Sequence, residues 1–193
     1  MHDQIERNRF YVRSVVEVIQ FLVVNELPLR GSSETGQTST GLFQHLYEYS
    51  VAKDNKLQNV LSSIPGNAKY TSPDIQNEII SALADFCVNA IITEAKTSQC
   101  YAVLADETRD RQGVEDLAIG IRFVPADATQ AVERCIAILA LPDQSAATIT
   151  DAIISTLDKV ELDNRRLIAQ GYDGASVMSG HVRIKGWSSS SSV

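Results

Sequence analysis

A chain of 193 residues of which 44% are hydrophobic can bury a core, so intrinsic disorder is not its default state. Its 17 Lys and Arg against 24 Asp and Glu give a net charge of -7, which excludes the broad cationic surface that holds nucleic acid without specificity; a nucleic-acid role would need a local site. Cys87, Cys100 and Cys135 are too widely spaced for a disulfide framework or a zinc module and fit a reducing compartment, nucleus or cytoplasm.

The start, MHDQIERNRFYVR, is too polar for a signal peptide. The apolar run Val15 to Val24 is broken by Glu17 and Gln20 and is too short to span a bilayer, so no membrane association is expected. Over residues 9–25, Val12, Val15, Val16, Ile19, Leu22 and Val23 recur at three-and-four spacing, which predicts an amphipathic helix. Pro28 and Gly31 break that period, and a Ser- and Thr-rich surface loop should follow. A second helix is expected from about Thr40 on Leu42, Phe43, Leu46, Tyr47 and Tyr49, re-capped near Asp54 before Leu57, Val60 and Leu61. His45, among those apolar residues, reads as half-buried packing rather than as a ligand.

Ser72 is a good N-cap, Pro73 suits the first helical position and Asp74 the positive end of the dipole, so a helix is expected over residues 73–96. Its stripe would be Ile75, Ile79, Leu83, Phe86, Cys87, Ala90 and Ile91, with Cys87 in the core. Beyond Ser98 the texture changes. CYAVLADET, EDLAIGIRFV and ERCIAILAL read as three strands separated by the turn segments RDRQG and PADATQ, an antiparallel meander. Helical spacing returns at Ala146, Ile149, Ala152, Ile153, Thr156 and Leu157, and RRLIAQGY reads as a fourth strand. A strand, helix, strand succession calls for a crossover that sets the last strand parallel to a neighbour in the same sheet. The fold class is α/β (α+β): a helical region over residues 1–98, a β-β-β-α-β unit over 99–180 and a low-complexity, disordered tail over 181–193.

Two acids stand where strands end. Asp106 lies late in YAVLADET and Asp173 directly follows the fourth strand, so a sheet with strand four beside strand one would bring them together. Two close carboxylates repel unless a proton or a cation lies between them, and hard oxygen ligands favour Mg²⁺ or Mn²⁺. The plainer reading stays open. Asp before Gly is an ordinary turn pair, and Asp106 with Glu107 can simply be solvated charge; spacing alone favours that reading.

NAKYTSPDIQNEII (67–80), YAVLADETRD (101–110) and QGYDGASVMSG (170–180), with Arg30, Gly31, Glu34 and EDLAIGIRFV in the same order, resemble the blocks of hAT-type transposases. Specifically, they resemble the branch related to zinc finger MYM-type proteins and the THAP-type repressor of the inhibitor of protein kinase, domain of unknown function 4371. The resemblance implies an RNase H-like fold, here only its first part. It also implies a catalytic and metal-ligating role for Asp106 and Asp173, with two Mg²⁺ or Mn²⁺ ions for cleaving and joining DNA. The family's third acid, a Glu, belongs on a helix further along, and HVRIKGWSSSSSV stands where the family continues differently. Ala169 and Asp116 replace an expected Gly and Gln, and no zinc module precedes the domain. The expectation is a truncated transposase-like fragment, inactive alone, whose ancestor acted on DNA. The alternative is a domesticated interaction module that kept the fold to bind a protein partner or its own copy.

Overall fold

The computed structural model describes residues 2–31, 41–109, 115–143 and 145–172. The loop expected after Gly31, Glu34, Asp173 and the tail over 181–193 all lie outside the described residues. The chain divides into two compact units, Met1–Asp85 and Phe86–Val193.

The first unit is helical. α1 (His2–Val24) buries Tyr11, Val15, Val18, Ile19 and Leu22 against Phe43 and Tyr47 of α2 (Leu42–Lys53) and Leu57 and Val60 of α3 (Asn55–Ser63). Asp54 separates the last two helices as the re-capping expectation requires. It closes α2 in extended backbone, and its carboxylate accepts from Lys56 N at 2.8 Å and Leu57 N at 3.1 Å to open α3. The Tyr47 hydroxyl donates to Tyr11 Oη at 3.2 Å, and Tyr11 in turn donates to the Lys69 carbonyl, so both buried phenols have partners. His45 is exposed rather than half-buried: at about 100° per residue it faces away from Phe43 and Tyr47, two residues on either side.

α4 (Pro73–Thr97) starts where its cap predicts, with Ile75 N donating to Ser72 Oγ at 3.4 Å. The expected single stripe does not hold along it. Ile79 and Ile80 join the first core, and Ile92 and Ala95 the second, while Phe86 is 74% exposed and Cys87 is exposed. The two ends of the helix serve different cores, so the turns between them need no apolar face.

The second unit holds a four-stranded mixed sheet. β1 (Tyr101–Arg109), β2 (Glu115–Phe123) and β3 (Val132–Ala140) form the antiparallel meander, and β4 (Leu167–Tyr172) returns parallel to β1, in the order β3-β2-β1-β4. The crossover is α5 (Ala146–Lys159), capped by the Ser145 hydroxyl accepting from Thr148 N. At its other end Glu161 takes a left-handed φ of 56° and Leu162 N donates to the Leu157 carbonyl, a tight reversal in which Leu162 is itself buried. Ile149, Ile153 and Leu157 of α5, with Ile92 and Ala95 of α4, cover one sheet face made by Val103, Ala105, Leu117, Ile119 and Ile121. This is the mixed α+β, RNase H-like arrangement expected from the sequence.

Tyr101 begins β1 with its hydroxyl buried and without a hydrogen-bond partner. Burial, reinforced by the negative charge of Asp163 and opposed by Arg166, pushes its pKa from 10.0 up to about 12. The folded state therefore keeps a proton that the unfolded chain loses. That stability is fully present below about pH 10 and disappears as pH rises toward about 12. Urea unfolding of Tyr101→Phe should show a flatter stability profile over this alkaline window than the parent. Its neutral-pH stability should stay within about 1 kcal/mol, because no hydrogen bond is lost.

Candidate functional site

β1 alternates strictly. Tyr101, Val103 and Ala105 are buried under the helices, so Ala102, Leu104 and Asp106 stand on the opposite, outer face of the sheet. Asp106 is exposed there and enters no hydrogen bond or ion pair among the described residues. Its register partner on β2 is Ala118, whose own partner on β3 is Ile138, so a small and an apolar residue flank the acid on that side.

On the other side lies β4. Val103 pairs with Gln170, Leu104 with Gly171 and Ala105 with Tyr172, the last described residue of the strand. Asp173 follows Tyr172 in sequence as Asp106 follows Ala105, but it lies outside the described residues. The structure thus brings the strands that carry or precede the two predicted acids side by side and in parallel, and it fixes the face on which Asp106 stands. Among the described residues no group of three or more His, Cys, Asp or Glu could hold a metal ion.

The outer face beside Asp106 is an open trough of about 520 Å³, lined by Leu104, Ala118, Gly120, Arg134 and Gly171 among others. Its floor is low because Leu104 is flanked by glycines on both neighbouring strands. A Cβ on Gly171 would come within 2.9 Å of Leu104 Cδ2, and one on Gly120 within 3.4 Å of the Arg134 carbonyl. Arg134 lines the trough itself, and Glu133, also in its lining, pairs with Arg122 at 3.3 Å.

Two features of this region escaped the sequence reading. The β1–β4 ladder contains an extra residue: Tyr101 pairs with Leu167 but Ala102 with Ala169, so Ile168 has no partner and is 59% exposed. Arg166, just before the strand, donates to the carbonyls of Lys96 at 2.9 Å, Gln99 at 3.2 Å and Ser98, groups orphaned at the C-terminus of α4. The apolar triplet Leu167-Ile168-Ala169 was a trace of the first, since strict alternation would have placed a polar residue in it. Nothing local marked Arg166, whose partners lie 67 to 70 residues away.

No helix among the described residues is long and apolar enough to cross a membrane. A family model described as the ZMYM1/FAM200, RNase-like domain (DUF4371) matches residues 1–184. The chain belongs to that family.

Proposed function

We propose that this RNase-like domain is a transposase-derived nuclease core of hAT type. In this reading Asp106 and Asp173 hold a divalent cation, Mg²⁺ or Mn²⁺, at the outer face of the sheet. The observation that carries it is the parallel register. It runs as far as Ala105 and Tyr172; if it continued by one residue, Asp173 would come opposite Asp106 on a neighbouring strand, at the usual strand spacing of about 4.8 Å. Carboxylates at that spacing favour a cation between them, and all-oxygen ligands select Mg²⁺ or Mn²⁺ over softer metals.

Asp106 and Asp173 would hold the ions, whose chemistry there would be activation of an attacking oxygen and stabilisation of a leaving oxygen in phosphoryl transfer on DNA. The chain's own contribution is to fix two carboxylates on rigid strands beside a trough whose glycines let a substrate backbone approach closely. A strand-transfer site of this type uses a third carboxylate beside such a pair. We assign Asp106 and Asp173 metal binding, in nucleus or cytoplasm, with DNA as the substrate of the ancestral enzyme.

A titration of Mn²⁺ followed by electron paramagnetic resonance tests this. The chain should bind Mn²⁺, and Asp106→Asn and Asp173→Asn should each weaken binding by about tenfold or more. Without metal, Asp106→Asn should leave stability within about 0.5 kcal/mol, since the carboxylate is exposed and enters no hydrogen bond or ion pair among the described residues. A parent chain that binds no Mn²⁺, or an Asp106→Asn variant that binds it equally well, would sink the reading.

The outer face, exposed among the described residues, supports a second reading as an interaction module whose partner is another copy of this chain. Ile138, 67% exposed, stands in the same cross-strand row as Asp106. Sedimentation over a wide concentration range should then show a dimer that Ile138→Asp disperses; a monomer at every concentration removes this reading.

A further inference from the structure

The ladder between β1 and β4 holds one residue too many, and the chain on both sides of the excess is pinned. At the near end Leu167 is 5% exposed opposite Tyr101, and Arg166 immediately before it is tied to three carbonyls at the end of α4. Sliding the strand to absorb the extra residue would pull that guanidinium off charge-assisted hydrogen bonds. At the far end Gly171 sits opposite Leu104, where a side chain would have to push the Leu104 methyl aside. Gln170 and Tyr172 face inward beside Val103 and Ala105, joined by a 2.7 Å hydrogen bond from the Tyr172 hydroxyl to Gln170 Oε1.

An unbroken ladder starting from Tyr101 and Leu167 would give a different strand. Ile168 would pair with Ala102, Gly171 with Ala105 and Tyr172 with Asp106, moving the tyrosine ring to the open face. Side chains alternate with period two, so a slip of one residue sends every one of them to the wrong side.

We propose that the bulge at Ile168, pinned by Arg166, is a register-setting device: Arg166 and Ile168 are positioning residues that choose which face of β4 runs beside Asp106. Its functional consequence rests on the reading of Asp106 and Asp173 as metal ligands: in the intact chain, with Leu167 held opposite Tyr101, the bulge is what shifts the following pairs so that residue 173 would come level with residue 106 if the register of Ala105 and Tyr172 continued. The register claim itself stands on the described residues alone.

Deletions in the full chain separate the two. Removing Ile168 leaves Leu167 opposite Tyr101 and Ala169 opposite Ala102 with no bulge, so nuclear Overhauser contacts between Leu104 and Gly171 should persist. Mn²⁺ affinity should then stay within about threefold of the parent, where loss of a supporting group costs about tenfold or more. Removing both Ile168 and Ala169 takes out one residue more than the bulge holds. The Leu104 contacts should move to Tyr172, and Mn²⁺ affinity should fall by about tenfold or more as residue 173 turns to the core face. Persistence of the Leu104 to Gly171 contacts in the double deletion would overturn the proposal, as would their loss in the single deletion. If the double deletion does not fold, the single deletion decides. A parent chain that binds no Mn²⁺ refutes the metal reading, while the contact pattern still decides whether the bulge sets the register.

Discussion

Parallel pairing of β4 with β1 is the contact on which the second unit depends. Neighbouring strands in a meander need only short turns, but a parallel neighbour demands a crossover long enough to climb back over the sheet, and α5 is that crossover. Once α5 lies on one face, its Ile149, Ile153 and Leu157 give that face its core, and β1 and β2 must turn their alternate residues toward it. The side of the sheet on which Asp106 stands follows from this. An acid at position 105 would have been buried among isoleucines; at 106 it is in water.

The same pairing explains why a device as small as one unpaired residue matters. Most of the sheet's register is specified by burial, since a slipped β1 would bury Asp106 and expose Val103. β4 is short and its side chains are mixed, Leu, Ile, Ala, Gln, Gly and Tyr, so burial specifies it weakly and local pins must do the rest. Arg166 at one end and the Leu104–Gly171 fit at the other are such pins. Both hold β4 in register beside the strand that carries Asp106.

Much of this was legible in the sequence because it depends on short-range periodicity. The strand EDLAIGIRFV, the α5 stripe of Ile149, Ile153 and Leu157, and Asp54 between two helices are all local patterns, and each forms where expected. The parallel return of β4 was legible too, from element order alone. What failed was inference over a longer range. The stripe drawn through Phe86 and Cys87 assumed one partner surface for a helix of 25 residues, whereas its two ends serve separate cores. His45 was judged by its neighbours in sequence rather than by its angle on the helix. The bulge and the Arg166 clamp depend on partners that no window along the chain contains, and the family match over residues 1–184 names the domain without reaching them.

The central claim is that β1 and β4 together present a divalent-cation site at the outer face of the sheet. Anomalous diffraction at the manganese edge, from crystals of the chain grown with Mn²⁺, tests it most directly. The account predicts a peak about 2.0–2.2 Å from a carboxylate oxygen of Asp106, shared with Asp173, on the face away from α5. A peak held by other residues with Asp106 unliganded, or no peak on that face at saturating Mn²⁺, would contradict it.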